Sequence, residues 1–273
     1  MKPLYTFCSF LRYLIPFLIF TVTVQAQTLS FAPVPQGTQE QVKNQWQPVV
    51  DKLNSTTGLS IQLTVAKSIT DHSERLGKGE FDLAYANPAI YVAVEEKGGY
   101  KAFAKQSNKM LQGVIVVRND SPAKDLADVA DEIIATPDPA AFGASILPLK
   151  TFEQAGVDVF PEYYGSHTAA YMKVHSGEIA VSGGVNRTFN ALPADIRKDL
   201  RILKTTDQFK PHPFVASNRL SGDTVDKIGK ALAAITSDQA LRKTMKFNHP
   251  VVQADPDNWD DVRSLGIRID TVE

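Results

Sequence analysis

The 273-residue chain contains one cysteine, Cys8, which lies in an apolar leader, and no thiol follows it. The body of the protein therefore has no route to a disulfide framework, a thiolate metal site or a cysteine nucleophile. An excess of one charge is also missing: 29 Lys and Arg against 30 Asp and Glu give a formal net charge of −1. That leaves neither the basic field of a nucleic-acid binder nor an acidic tail. Internal repeats, low-complexity tracts and flexible linkers are absent. So are a G-x-S-x-G elbow, a phosphate loop, carboxylates paired at a telling spacing, and a His-x-x-x-His pair. The expectation is a protein that is not an enzyme, carries no cofactor or metal, and does not bind nucleic acid.

The leader itself is informative. Lys2 and Arg12 precede the apolar stretch Leu14–Val24, and Val24-Gln25-Ala26 supplies a small-x-small end. This is the pattern of a signal peptide cleaved after Ala26. As a membrane anchor the stretch is short of the ~20 residues a span requires, and Pro16 interrupts it. Hydrophobic residues make up 43% of the chain, enough for a core that needs no disulfides. A periplasmic, monomeric protein is expected.

Strand-like and helix-like segments then alternate. Thr28–Val34 reads as a buried strand, and Thr38 with Gln41 forms a capping box. Val42, Trp46, Val49, Val50 and Leu53 recur at helical spacing before Gly58 ends the helix. A strand over Leu59–Ala66, a short helix over His72–Gly79 and a strand over Phe81–Ala86 lead to Asn87-Pro88, an N-cap followed by proline at the first helical position. Further on, Met110–Arg118 is a strand, and D-E-I-I-A-T runs into the turn D-P-A-A-F-G-A-S-I-L-P at 138–148, with a helix through 151–154. Ser166 caps another helix, E-I-A-V-S-G-G is a strand, and Pro213–Asn218 is a strand before a helix through 226–235. The alternation predicts an α/β fold with mainly parallel sheet. Its length suits two lobes, 27–112 plus 214–273 and 113–213, joined by crossings at Gly113–Arg118 and Phe209–Phe214.

Ligands of open α/β sheets sit beyond the carboxyl ends of the strands, where helices begin. Four such starts, near Thr38, Asn87, Gly143–Ser145 and Ser166, can aim positive dipole ends into one cleft. Each dipole favours an anion by about 0.3–1 kcal/mol, whereas micromolar binding takes roughly −8 kcal/mol. Side chains must supply the rest. Candidates beside the starts are Tyr85, Asn87 and Tyr91; the turn backbone at Gly143, Ala144 and Ser145; Ser166 and His167; Arg187 as a bidentate clamp; and His212 at the return crossing. Each also has a plain structural reading. The tyrosines can be half-buried aromatics, Asn87 only a cap, and His167, Arg187 and His212 solvated surface residues.

Over nearly its whole length after the leader, the chain resembles the periplasmic solute-binding proteins of phosphate/phosphonate/phosphite ABC importers. The resemblance rests on G-E-F-D-L-A-Y-A-N-P-A-I-Y-V-A (79–93), Y-G-S-H-T-A-A-Y-M-K-V-H-S-G-E-I-A (164–180) and D-P-A-A-F-G-A-S-I-L-P. It implies a type II periplasmic binding protein: two α/β lobes, joined by two hinge crossings, that close on an oxyanion without catalysis. Tyr91 matches the tyrosine on the helix after the family's Gly-Pro, which here is Asn87-Pro88, and His167 matches a histidine that lies against the anion. Two departures stand out. The family's turn is rich in Ser and Thr where this chain has Ala141, Phe142 and Gly143, with Ser145 the one hydroxyl left nearby. Three lost hydrogen bonds would weaken oxyanion binding by some 2–4 kcal/mol, about 30- to 1,000-fold. The family's acid in the return segment is replaced by the basic Lys210-Pro211-His212-Pro213, so an ammonium-bearing phosphonate is not expected, and Phe142 would add an apolar wall.

The function expected is capture of a small-molecule anion, such as phosphate, phosphite or a phosphonate, with altered specificity, and its delivery to an ABC permease in the inner membrane. Two alternatives share the cleft: a sensory protein that reports to a membrane kinase, and a metal or metal-chelate binder using His167 and His212.

Overall fold

A computed structural model describes residues 27–269. The leader and its cleavage point lie outside the described residues. The strands form two sheets. The first, in spatial order β11-β4-β10-β3-β1-β2, contains β1 (Thr28–Pro33), β2 (Ser60–Leu63), β3 (Leu83–Tyr85), β4 (Tyr100–Gln106), β10 (Pro213–Ser217) and β11 (Val251–Gln253). The second, in order β7-β6-β8-β5-β9, contains β5 (Leu111–Arg118), β6 (Ile133–Thr136), β7 (Phe160–Tyr163), β8 (Val181–Val185) and β9 (Leu200–Phe209). Helices α1 (Gln39–Thr57), α2 (Ile69–Gly77) and α3 (Pro88–Glu96) precede β4. Helices α4 (Leu147–Gln154), α5 (His167–His175), α6 (Asn186–Asn190) and α7 (Ala194–Arg197) belong to the second half, and α8 (Gly222–Ser237), α9 (Gln239–Thr244) and α10 (Asp260–Arg263) return to the first. Among the described residues no helix is long and apolar enough to cross a membrane.

The chain changes sheet twice, over 107–110 between β4 and β5 and over 210–212 between β9 and β10. The first change falls before Gly113, because Leu111 and Gln112 already pair with Phe209 and Gln208 in the second sheet. The sheets are also more mixed than the expected mainly parallel ones. β1 pairs in parallel with β2 and β3, and β6 with β7 and β8. By contrast, β10 and β11 in the first sheet, and β5 with both its neighbours in the second, run antiparallel. A chain that crosses between lobes enters the sheet from the cleft side, opposite to strands that deliver a helix there, so the antiparallel pairing of β5 and β10 follows from the crossings.

Local chemistry sets the helix ends. Thr38 and Gln41 form the reciprocal capping box of α1, and Gly58 closes it at φ 70°, a conformation open to glycine at little cost. The buried stripe Val42, Trp46, Val49, Val50 and Leu53 seats α1 on the first sheet. Burying such side chains is worth about 1.5–3 kcal/mol each. A second cluster includes Ile90, Tyr91 and Trp259 from the first lobe together with Ala140, Phe142 and Leu147 from the second, so one core runs through the junction of the lobes.

A cation-lined cleft between the lobes

The ends of β1 and β3 in one lobe, and in the other the end of β8 and the turn after β6, face a cavity of about 540 Å³. It receives seven of the candidates: Tyr85, Asn87, Gly143, Ala144, His167, Arg187 and His212. Tyr91, Ser145 and Ser166 do not line it. Tyr91 is fully buried edge-on against Trp259, 5.1 Å between ring centroids, because the helical period turns it toward the core side of α3. Ser145 is also fully buried, and its hydroxyl has no hydrogen-bond partner among the described residues. Ser166 is exposed and spends its hydroxyl on the backbone N–H of Ala169 as the cap of α5. Asn87 is committed on both sides, its Oδ1 accepting from Ile90 N at 2.9 Å and its Nδ2 donating to the Ala140 carbonyl at 2.8 Å. The second of these bonds spans the lobes.

The Ala- and Gly-rich turn has a packing explanation. Residues Phe142–Ile146 form one π-helical turn that leads into α4 and lies directly on β5 and β8. A Cβ at Gly113 would fall on the Gly143 carbonyl, and one at Gly183 on the Ala144 carbonyl. Small residues in the turn and glycines in the strands let two backbones touch. Ala141, at the N-cap, offers no side-chain acceptor, so the start of the turn meets the cavity uncapped. The Phe142 ring is not an open wall. It is 1% exposed and sits edge-on to Phe209 in the core shared by the lobes. Asp138 opens the turn and takes bonds from Thr70 of α2, Oγ1 at 3.0 Å and N at 3.3 Å, a second bridge between the lobes at a helix start.

Charge is the dominant feature of the lining. Lys109, Arg187, Lys243 and Lys246 line the cavity, and no Asp or Glu does among the described residues. Burial, then the neighbouring Arg187, pulls the Lys109 ammonium below its usual range, and burial in the cleft likewise lowers Arg187. Burial first, and Arg187 next, press His167 down to about 4 and His212 to about 3. Both imidazoles are therefore neutral at pH 7. His167 Nδ1 lies 3.3 Å from Thr188 Oγ1. That hydroxyl gives its one proton to the Val185 carbonyl at 3.0 Å, so Nδ1–H donates to Thr188 and Nε2 is left as the nitrogen that takes up a proton beside an anion.

Composition and helix-start signals missed Gln36 and Lys109. Gln36 Oε1 accepts from Arg187 Nη2 at 2.8 Å, and Gln36 Nε2 lies 3.1 Å from His212 Nε2. The guanidinium can only donate, which fixes the carboxamide's orientation, so His212 Nε2 must accept and its proton sits on Nδ1. His212 also stacks on Tyr85, centroids 5.3 Å apart at 23°. The return crossing is pinned from behind by Trp259 Nε1, which donates to the Pro211 carbonyl at 2.8 Å, and by Asp261, which accepts from Lys210 N at 3.1 Å.

Solved structures with this fold include a binding-protein component of an ABC phosphonate transporter from Pseudomonas aeruginosa. It is 15% identical, with a TM-score of 0.76 over 88% of this chain and 85% of that one. PhnD1 from Prochlorococcus marinus, solved with methylphosphonate, is 14% identical, with a TM-score of 0.77 over 88% and 97%. XAC2383 from Xanthomonas citri, solved with ATP, is 15% identical, with a TM-score of 0.74 over 87% and 95%. No curated protein matches the chain. The family model for phosphonate ABC transporter periplasmic substrate-binding proteins matches residues 31–259, and the chain belongs to that family.

Proposed function

We propose that the protein captures a small oxyanion of the phosphate, phosphite or phosphonate kind in the interlobe cleft and hands it to an ABC permease in the inner membrane. The observation that carries this reading is a cavity with four fixed cations and no carboxylate among the described residues, in a chain of net charge −1. A cleft walled by one sign of charge focuses its field on an incoming anion. Arg187 supplies the bidentate grip, Lys109 a second charge, and His167, at the start of α5, a ring nitrogen that donates to the anion once protonated. In this reading 1–26 is the export signal, and the protein works as a monomer of two lobes. A bare metal cation would meet these charges as repulsion, which disfavours the metal-binding alternative. The turn's missing hydroxyls alter specificity rather than abolish binding, since side-chain cations replace them.

Thermal shift and calorimetry with phosphate, phosphite, methylphosphonate and sulfate test the proposal. At least one should raise Tm at millimolar concentration. Arg187→Met should weaken that anion by about 10- to 100-fold, the size of a lost charge-assisted hydrogen bond. Stabilisation by divalent metals or chelates but by none of the oxyanions would overturn it.

A further inference from the structure

The cavity is large for an inorganic oxyanion. At about 540 Å³ it falls within the roughly 300–1,000 Å³ of sites that hold organic ligands, and a tetrahedral anion would leave most of it to water. Beyond the cations, its lining combines apolar side chains, among them Val34, Leu111 and Phe247, with a group of carboxamides. Gln112 of β5 and Gln208 of β9 are direct cross-strand partners, so their side chains share one face, and both line the cavity. Gly113 of β5 pairs in turn with Val185 of β8, and the next residue, Asn186, also lines the cavity beside Arg187. Three carboxamides thus line one side of the cavity, two on the neighbouring strands β9 and β5 and one at the first residue of α6, which is followed in sequence by Arg187. Gln112 donates from Nε2 to the Thr206 carbonyl at 2.7 Å, and this bond leaves the acceptor capacity of its Oε1 unspent. Gln208 and Asn186 are exposed on the cleft.

A carboxamide offers donors and an acceptor side by side, the complement of hydroxyl groups, which also do both. An alkyl body would gain nothing from these carboxamides and would strip them of water. An ammonium would find no carboxylate among the described lining residues. From the carboxamides of Gln208, Gln112 and Asn186 on one side of the cavity that holds Arg187, we infer that the ligand is an oxyanion joined to a neutral hydroxylated body, of the polyol-phosphate class. The anion sits at Arg187, Lys109 and His167, and the hydroxyls lie along the carboxamides. This inference rests on the anion-receptor reading above.

Calorimetry with glycerol 3-phosphate, propyl phosphate and inorganic phosphate separates the two. Propyl phosphate keeps the length of the ester and removes its hydroxyls. Glycerol 3-phosphate should bind about tenfold or more tighter than propyl phosphate, the yield of one or two well-made hydrogen bonds. In a Gln112→Met/Gln208→Met variant that preference should shrink to within about threefold, while the affinity for inorganic phosphate, which also reports an intact fold, stays at the parent value. Propyl phosphate binding as tightly as glycerol 3-phosphate, or a preference untouched by the double substitution, overturns the inference and leaves the anion receptor standing. Failure of all three phosphates to bind overturns the inference, and it removes the anion receptor as well only where phosphite, methylphosphonate and sulfate also fail.

Discussion

At the scale of single residues, the cleft combines permanent cations with histidines kept uncharged. Burial and the Arg187 charge hold His167 at about 4 and His212 at about 3, and buried His72, whose Nε2 lies 3.1 Å from the Ala32 carbonyl oxygen, stands at about 4. In the unfolded chain all three would protonate near the ordinary histidine value of about 6.5. Between that value and the folded ones the unfolded state carries more protons, so stability falls as pH drops from about 6.5 towards 4. Above about 6.5 these groups contribute no slope. Each costs up to about 1.4 kcal/mol per pH unit where its difference is fully developed. A bound anion works in the other direction, because it favours imidazolium, raises the pKa and draws a proton in. Affinity for sulfate, whose charge is constant over this range, should therefore rise as pH falls from about 6 to 4.5. The ligand-free Tm should drop between pH 7 and pH 5, and a His167→Asn/His212→Asn variant should lose less, with His72 retaining part of the slope. Parallel melting curves for variant and parent across that interval would contradict this assignment.

At the scale of elements, the π-helical turn is where packing and binding meet. Its backbone rests on β5 and β8 only because Gly113 and Gly183 lack a Cβ. Gly183→Ala would drive a methyl into the Ala144 carbonyl, and overpacking of this kind costs about 1–3 kcal/mol. For a chain of this size that lowers Tm by roughly 2–12 °C. Because the obstructed atom is backbone, the turn must lift away from the sheet, and anion affinity should fall with it. Gly222→Ala, at the open start of α8, should leave both unchanged. Equal Tm values for the two variants would refute the close-contact account. The same elements show what a sequence conveys. The ends of α1, α3 and α5 were legible because a cap is the chemistry of one or two neighbouring side chains: Thr38 with Gln41, Asn87 with Pro88, and Ser166. Strands β4 and β9 carry no clear strand pattern in the sequence. In β4 the polar partners of the alternation are two lysines among alanines, Lys101 and Lys105, and β9 is an edge strand with a largely polar T-T-D-Q stretch. Gln36 and Lys109 carry no local signal, since their partners, Arg187 and His212, are distant in sequence and are brought to them by the fold. Tyr91 looked equivalent to Asn87 in sequence, but one turn of helix points it at Trp259 instead of the cleft.

At the scale of the whole molecule, the two lobes lean on each other through side chains as well as through the shared core. Thr70 reaches Asp138, Asn87 reaches the Ala140 carbonyl, and Arg187 reaches Gln36, each bond crossing from one lobe to the other. Rotation about the crossings at 107–110 and 210–212 would break all three. At about 0.5–1.5 kcal/mol each, they hold the closed arrangement by a few kcal/mol at most, a margin that one substitution can move. Ligand affinity scales with the fraction of protein already in the competent arrangement, so loosening a bridge that touches no ligand should still weaken binding. Thr70→Val keeps the shape of the side chain and removes the hydroxyl that bonds Asp138, at a position outside the anion's reach. In small-angle X-ray scattering the ligand-free variant should show a larger radius of gyration than the parent. Saturating anion should return it to the parent value, and the apparent Kd should rise by about two- to tenfold. An unchanged radius together with an unchanged Kd would mean that the bridge is ornamental and that the lobes are held by the shared core alone.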